Sequence, residues 1–133
     1  MQIGINHFGH FYLTYQLWDL VKKSLSPRIV NLSSYGHQLV GYNHKIDFDG
    51  IFYENGGYEK WLAYSTSKLA NIMFTKELQR RMDKARIHGL AMSVHPGFVR
   101  IELVRDLKND SLLWKIMAKV FLPLQHLIHK SPK

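Results

Sequence analysis

Residues 60–94 read KWLAYSTSKLANIMFTKELQRRMDKARIHGLAMSV. Apolar side chains return at three- and four-residue steps up to residue 84, which predicts an amphipathic helix. The predicted apolar positions of this helix are Leu62, Leu69, Ala70, Met73, Phe74 and Leu78. After Gly89, the short apolar run 90–94 has the length and composition of a strand. The stretch is therefore typical of the helix-then-strand part of an α/β unit.

The same order of a helix followed by a strand also occurs earlier in the chain. Helical spacing predicts a helix over about residues 8–25, Ser26-Pro27 ends it, and residues 28–33 (RIVNLS) predict a buried strand. Strands that alternate with helices at this spacing imply a parallel sheet with crossover helices. We predict an α/β fold that is part of a Rossmann-like doubly wound parallel sheet. Two strands alone cannot complete such a sheet, so we expect the rest of it to come from residues outside this chain or from a partner.

Composition limits the classes of protein that remain. The 133 residues fit a single partial domain over 1–133, and 46% hydrophobic with 21% charged residues is typical of a globular chain. The chain has no cysteine, which excludes disulfides, Cys-ligated metals and a thiol nucleophile. The net charge of +8 raises the question of nucleic acid, but no basic-aromatic motif accompanies it. We expect a solvated basic surface and no nucleic-acid partner.

Polar residues follow both predicted strands and begin the long helix. Tyr64 and Lys68 are four residues apart, so one helical face carries both, and a nearby ammonium favours the ionised form of a phenol. Ser34 follows one strand, and His95-Pro96-Gly97 follows the other, at the edge where α/β sheets bind ligands. Taken alone, the short Tyr–Lys spacing is better explained by a chance pair on a solvated helix. A capping or turn-forming serine explains Ser34 as well as a ligand site does.

Four motifs in fixed order strengthen the ligand-site interpretation. They are Ile5-Asn6-His7-Phe8-Gly9-His10-Phe11, Arg28-Ile29-Val30-Asn31-Leu32-Ser33-Ser34, Ala63-Tyr64-Ser65-Thr66-Ser67-Lys68-Leu69-Ala70-Asn71 and Val94-His95-Pro96-Gly97-Phe98-Val99-Arg100. With them the chain resembles the short-chain dehydrogenase/reductase family, above all its retinol dehydrogenase-like and WW-domain oxidoreductase-like members. The motifs span nearly all of residues 4–103, which makes the resemblance more specific than the Tyr–Lys spacing alone.

The resemblance implies a catalytic role for four residues. Tyr64 would be the acid/base, and Lys68 would favour its ionised form and bind the nicotinamide ribose. Ser34 would bind the substrate and polarise its reacting oxygen. Asn6 would complete a catalytic tetrad by holding a helix kink and a water of the proton relay.

The resemblance also implies a nicotinamide cofactor, NADP or NAD. Tyr64, Lys68, Pro96, Gly97 and Val99 would contact it. The implied activity is an NAD(P)-dependent oxidoreductase that interconverts an alcohol and a carbonyl. An apolar segment at 104–129 would be a substrate lid after a long loop at 35–59, which favours an apolar substrate such as a retinoid, a steroid or an aliphatic aldehyde.

Two departures from the family pattern support a competing hypothesis. No glycine-rich phosphate-binding turn occurs, so we expect the N-terminal dinucleotide-binding half to be lacking. Ile101 stands where the family usually has a threonine that holds the nicotinamide. The chain would then be a fragment, or a catalytically inactive truncated remnant that cannot bind cofactor and acts at most through subunit association, for example as a homodimer.

Two further features of the sequence bear on metal binding and on the location of the protein: the spacing of its histidines and the distribution of its apolar residues. His7/His10 and His126/His129 each have i,i+3 spacing, but no third ligand accompanies either pair, so we expect no metal site. There is no signal-peptide pattern and no run of about 18 apolar residues that would span a membrane. We expect a cytoplasmic or endoplasmic-reticulum-associated protein, and membrane-surface contact by 110–129 stays open.

Overall fold

The computed structural model describes residues 2–41, 46, 48–54 and 56–97. Its elements in chain order are a π-helical turn (Gly4–Phe8), α1 (Gly9–Gln16), α2 (Trp18–Lys23), β1 (Arg28–Leu32), a 3-10 turn (Tyr35–His37), α3 (Gln38–Gly41), α4 (Lys60–Lys84) and β2 (Leu90–Val94). The helix predicted over 60–84 and the strand predicted over 90–94 are confirmed. The helix predicted over 8–25 is divided into α1 and α2 by Leu17.

Local chemistry accounts for both ends of α4. The Glu59 carboxylate accepts hydrogen bonds from the backbone N–H groups of Trp61 and Leu62, which have no partner inside the helix. Its negative charge also complements the positive end of the helix dipole. Arg81 and Lys84 lie in the last turn, where positive charge is favourable. The helix therefore begins and ends where the sequence supplies these charges.

The two strands form a parallel pair. The register runs from Arg28 opposite Leu90 to Leu32 opposite Val94, and the Ser33 N–H donates to the Val94 carbonyl at 2.8 Å. Helix α4 lies between β1 and β2 in the chain and packs against both. The parallel pairing predicted from the alternation of elements is confirmed. Because the strands are parallel, the residues after β1 and after β2 lie at the same edge of the sheet.

The core lies between α4 and the sheet. Met82 is completely buried, and Leu78 and Ala91 are buried beside it. The partly buried residues packed against them are Trp18, Ile29, Phe74 and Ile87. Truncation of a fully buried methionine to alanine costs about 2–5 kcal/mol, so Met82 anchors the contact between helix and sheet.

The buried face of α4 differs from the apolar face predicted from periodicity. Leu78 is buried and Phe74 contacts the core, but Leu62 and Met73 are 36% and 49% exposed, so the prediction was wrong for these two. The buried residues of α4 are Ala63, Ser65, Thr66, Ser67, Asn71, Thr75, Leu78 and Met82. Small and polar side chains fill the N-terminal part of this face, and those of Ser67 and Asn71 bond to the segment around Asn6. Apolar periodicity does not detect such a face.

Strand β1 is more exposed than a buried strand. Ile29 and Asn31 face α4, whereas Val30 and Leu32 are each 53% exposed on the other face. Within the described residues the sheet has two strands, and α4 covers one face of it. The prediction of a strand buried on both faces was therefore wrong for the part of the chain that the structure describes.

The predicted 35–59 loop begins with helical structure, namely the 3-10 turn and α3. Ile46 and Phe48 are not in a strand, and Asp47 between them lies outside the described residues. The substrate-lid segment 104–129 also lies outside them. Among the residues that are described, none of the helices has the length and hydropathy needed to cross a bilayer.

Candidate functional site

The candidate site lies at the edge where β1 and β2 end. Ser34 follows β1 in extended backbone conformation, and its Oγ accepts a hydrogen bond from the Gly36 N–H at 3.2 Å. This bond caps the 3-10 turn and fixes the position of the hydroxyl oxygen. Because the oxygen accepts from Gly36, the hydroxyl proton can be donated to another acceptor.

Gly36 lies between Ser34 and Tyr64. A Cβ atom built on Gly36 would be 3.1 Å from Tyr64 Cε1 and 3.5 Å from Ser34 Oγ. The absence of a side chain at this position therefore allows the phenol ring to approach the turn that carries the hydroxyl. The structure thus brings Ser34 and Tyr64, which are 30 residues apart in the chain, close to the same glycine.

Lys68 lies one turn after Tyr64 on α4. Its Nζ is 5.5 Å from the centre of the Tyr64 ring and donates to the Leu32 carbonyl at 3.4 Å. The side chain is half-buried, and burial lowers the pKa of the Lys68 ammonium from its usual 10.5. The ammonium therefore lies beside the phenol, at the end of β1, as the four-residue spacing predicts.

Asn6 reaches the same region from the π-helical turn. Its Nδ2 donates to Ser67 Oγ and to Gln2 Oε1, both at 3.1 Å, and Ser67 Oγ in turn donates to the Tyr64 carbonyl at 2.6 Å. The Asn6 side chain is thus connected to the backbone of Tyr64 through one hydroxyl. π-Helical turns inside helices often occur at functional sites.

The end of β2 contributes aromatic contacts. The His95 ring lies 4.5 Å from the Tyr35 ring in a T-shaped arrangement, which connects the residues that follow the two strands. Burial, and to a smaller extent the nearby His37, lowers the pKa of His95. Pro96 and Gly97 are exposed, with Gly97 at a φ of +78°, and Val99 lies outside the described residues.

Sequence reasoning missed the polar residues that support the site. Asn71 and Ser67 are 1% and 0% exposed, and both contact Asn6, while Ser33 Oγ donates to the Lys68 carbonyl at 2.9 Å. The available signal is the four-residue spacing of Ala63, Ser67, Asn71 and Thr75 in the sequence. A stripe of small and polar residues along one face of an amphipathic helix indicates a face that packs closely on backbone.

The first histidine pair, His7 and His10, is held by hydrogen bonds to other residues of the chain. His7 Nδ1 is 3.0 Å from Asn71 Oδ1, and His10 Nδ1 is 3.0 Å from the Asn6 carbonyl, so both rings have hydrogen-bond partners. In the part of the chain with described coordinates, no three His, Cys, Asp or Glu side chains are grouped so as to hold a metal ion. The second pair, His126 and His129, lies outside that part.

The arrangement brings a phenol, an ammonium and a hydroxyl to one edge of a parallel sheet. A phenol beside an ammonium can exchange a proton with an oxygen, and a hydroxyl can donate a hydrogen bond to that same oxygen. Such a group of side chains is suited to proton transfer at an alcohol or a carbonyl.

Comparison with known proteins shows the same relationship as the four motifs. No protein-family model matches the chain. The chain is 46% identical over 116 residues to retinol dehydrogenase 11 of Mus musculus, covering 87% of the chain and 34% of that protein. It is 42% identical over 116 residues to human retinol dehydrogenase 12, covering 87% and 34%, and 46% identical over 105 residues to human retinol dehydrogenase 13, covering 79% and 30%. The chain thus spans about a third of the length of these relatives.

A solved structure also matches the chain. The crystal structure of an uncharacterized protein from Mycobacterium paratuberculosis matches with a TM-score of 0.59 and 39% identity, over 79% of this chain and 36% of that one. The mixed fold with its small parallel sheet agrees with part of a Rossmann-like domain. The resemblance stated from the motifs is confirmed: the chain belongs to the retinol dehydrogenase-like branch of the short-chain dehydrogenase/reductase family.

Proposed function

We propose that this edge of the sheet carries the NAD(P)-dependent interconversion of an alcohol and a carbonyl. The observation that supports this most directly is the convergence of three groups: the Ser34 hydroxyl and the Tyr64 ring both lie close to Gly36, and the Lys68 ammonium lies beside the ring. Each of the three carries a proton that it can donate to an oxygen atom of a substrate or cofactor. The similarity to retinol dehydrogenases supports the same reaction class.

In this proposal Tyr64 donates its phenolic proton to the carbonyl oxygen during reduction, and accepts a proton from the alcohol during oxidation. Ser34 donates a hydrogen bond to the same oxygen, which stabilises the negative charge that develops there. The Lys68 ammonium lies 5.5 Å from the centre of the Tyr64 ring and places a positive charge beside the phenol. Asn6 supports the helix through Ser67, one residue before Lys68.

The described residues fit the nicotinamide-ribose end of a dinucleotide. Lys68 has three N–H donors, of which one faces Leu32, and such donors suit ribose hydroxyls. Among the described residues, nothing beyond its chain neighbours lies within 4 Å of a Cβ built on Gly97, which suits close approach of a ligand to the backbone. The cofactor, when bound, supplies or accepts the hydride. Pro96, Gly97 and Val99 would line this pocket.

The proposal extends to the substrate and the surrounding fold. We propose an apolar alcohol or carbonyl such as a retinoid, a steroid or an aliphatic aldehyde, with the apolar segment 104–129 covering it. We further propose that the two strands are part of a doubly wound parallel sheet within a single partial domain over 1–133. The 53% exposure of Val30 and Leu32 supports a further covering layer on that face.

A remnant that acts only by subunit association is the competing function. Apolar side chains on α1 favour it, because Tyr12, Leu13 and Tyr15 are more than half exposed. Such a face would suit a second copy of this chain, or an anionic membrane surface given the net charge of +8.

Cofactor titration of the full 133-residue chain separates the two functions. Trp61 lies 6.4 Å from the Tyr64 ring, so its fluorescence reports on the site, and we expect saturable quenching by NADPH or NADH. Turnover is then measured with retinaldehyde and with an aliphatic aldehyde. No quenching at millimolar cofactor would favour the remnant and contradict the enzyme.

Two matched variants test the proton donor. We expect Tyr64→Phe to remove nearly all turnover while cofactor affinity stays within about threefold, because only the proton-carrying group is lost. Tyr12→Phe removes a hydroxyl from an exposed tyrosine on α1 and should keep wild-type turnover. Turnover retained by Tyr64→Phe would exclude Tyr64 as the acid/base.

A further inference from the structure

Asn71 has every polar group of its side chain bonded, although it is almost completely buried at 1% exposure. Its Nδ2 donates to the Asn6 carbonyl at 2.9 Å and to the Leu32 carbonyl at 3.0 Å. Its Oδ1 lies 3.0 Å from His7 Nδ1. Since carbonyl oxygens only accept, the amide nitrogen must face them, and His7 Nδ1 must carry the proton that Oδ1 accepts.

Both carbonyls belong to segments that carry candidate site residues. The Leu32 oxygen also accepts a hydrogen bond from Lys68 Nζ, and Leu32 directly precedes Ser33 and Ser34 in the chain. The Asn6 carbonyl oxygen lies in the π-helical turn, and the Asn6 side chain donates a hydrogen bond to Ser67. One carboxamide therefore joins the end of β1, the turn at Asn6 and α4.

We propose that Asn71 is a positioning residue that sets the place of Lys68 and Asn6 relative to each other. The inference rests on the proposed function, since Lys68 and Asn6 matter for turnover only if the site is catalytic. Asn71 itself has no contact with the Tyr64 phenol among its hydrogen bonds and acts through the two carbonyls.

His7 holds the carboxamide in this orientation. Its ring packs among Phe8, Phe11 and Phe74, with centroid distances of 5.4, 6.3 and 5.9 Å. The packing fixes the ring, and the ring nitrogen then fixes Asn71 Oδ1. Fully bonded buried networks of this kind specify one geometry, because any shift would leave a buried polar atom without a partner.

Packing alone does not explain an asparagine at this position. Burial of a carboxamide is costly unless it is fully hydrogen-bonded, and an apolar side chain would fill the same space without that cost. An asparagine is favoured here because its Nδ2 donates a hydrogen bond to both carbonyls and so holds the Asn6 and Leu32 backbones close together.

Asn71→Asp tests the proposal, because a carboxylate has the same shape but cannot donate to either carbonyl. Asn31→Asp is the matched control: Asn31 is 8% exposed and donates Nδ2 to Thr75 Oγ1 on the same face of α4, but does not touch Lys68 or Asn6. We expect Asn71→Asp to lower kcat about 10- to 100-fold with little change in KM, as misplacement of a reacting group does. Asn31→Asp should stay within about threefold of wild type.

His7→Phe is the second variant, for the case that Asn71→Asp fails to fold by circular dichroism. It keeps an aromatic ring among the phenylalanines but removes the donor to Asn71 Oδ1. We expect kcat to fall about 3- to 10-fold, a smaller loss because both Asn71 donor bonds remain. An unchanged kcat in whichever of the two variants folds would overturn the proposal.

A measurement without turnover separates this inference from the proposed function. Loss of a hydrogen bond shifts a carbonyl ¹³C resonance upfield, so Asn71→Asp should shift those of Asn6 and Leu32. Asn31→Asp should leave the Asn6 resonance in place, and only this resonance serves for the control because Leu32 directly follows Asn31 in the chain. If the wild-type chain has no turnover, the proposed function fails, and these two resonances decide the positioning role. Unchanged resonances in Asn71→Asp, or an equal shift of the Asn6 resonance in Asn31→Asp, would overturn it.

Discussion

Lys68 places its Nζ 3.4 Å from the carbonyl oxygen of Leu32, the last residue of β1. The contact joins the first turns of α4 to the end of the strand through a charged group. Burial disfavours that charge and lowers the pKa of the Lys68 ammonium below 10.5. The stability of the fold should therefore depend on pH through this residue.

We predict that Lys68→Met changes this dependence in a defined direction. Because the pKa of Lys68 is lower in the folded state than in the unfolded chain, the unfolded chain binds more protons between the two values. Wild-type stability, relative to Lys68→Met, should then increase as the pH rises from the lowered pKa towards 10.5. Urea unfolding at pH 7, 9 and 10.5 measures the difference.

Lys76→Met is the control, since Lys76 is exposed on the same helix and its loss removes the same charge. The change with pH in the free energy of unfolding, taken relative to wild type, is compared between Lys68→Met and Lys76→Met. A wild-type stability that decreases with pH relative to Lys68→Met, after this correction, would contradict the assigned cause.

Alanine substitutions at Gly89 and at Gly9 should change the free energy of unfolding in opposite directions. A Cβ on Gly89 would overlap the Met82 methyl and lie 2.8 Å from the Pro27 carbonyl oxygen, whereas on Gly9 it would meet only the Gly4 oxygen at 3.6 Å. Gly89→Ala should lower the free energy of unfolding by about 1–3 kcal/mol through overpacking. Gly9→Ala, inside α1, should raise it by about 0.5–1 kcal/mol.

Urea unfolding of both variants at one pH measures these changes. The Met82 methyl can move aside, but the Pro27 oxygen is backbone and accepts a hydrogen bond from the Leu90 N–H. The strain at Gly89 should therefore remain after relaxation of the side chain. A Gly89→Ala variant as stable as wild type would show that the turn before β2 can shift.

Much of this fold follows from local sequence pattern. The Tyr64–Lys68 spacing puts both residues on one face, and the polar residues after two parallel strands must meet at one edge. The contacts of Asn71 could not be predicted, because its partners His7 and Leu32 are 64 and 39 residues away in the chain. Exposure of Leu62 and Met73 was missed for a related reason: apolar spacing identifies a face but not what covers it.

Glu77 should make stability sensitive to acid. Hydrogen bonds from Arg80, and then from Arg81, lower the pKa of Glu77 from 4.5 to about 2. A carboxylate with a depressed pKa stabilises the fold above pH 4.5, and this contribution is lost as the pH falls through about 2. Wild type should lose stability relative to Glu77→Gln over this window, by a small amount because the pair is exposed.

Urea unfolding at pH 5, 3.5 and 2.5 tests this, with high salt as the control. Salt screens exposed charges, so the difference between wild type and Glu77→Gln should shrink as salt is raised. A difference that is the same at all three pH values would exclude the two arginines as the cause.

Ser65 and Ser67 are both completely buried on α4, yet only one of them has hydrogen-bond partners among the described residues. Ser67 Oγ accepts from Asn6 and donates to the Tyr64 carbonyl. Ser67→Ala should lower the free energy of unfolding by about 0.5–1.5 kcal/mol, the net value of such a bond. Ser65→Ala should raise it by roughly 1 kcal/mol, because removal of an unpaired buried hydroxyl ends its desolvation cost.

The two variants control for each other. Each replaces a serine by alanine in the same helix, so the gain in helix propensity is common to both and cancels in their difference. What remains is the hydrogen bonding of the two hydroxyls. Thermal and urea unfolding should therefore rank the three proteins as Ser65→Ala, wild type and Ser67→Ala, in order of decreasing stability. A Ser67→Ala variant at least as stable as Ser65→Ala would show that the bond to Asn6 does not hold the π-helical turn against α4.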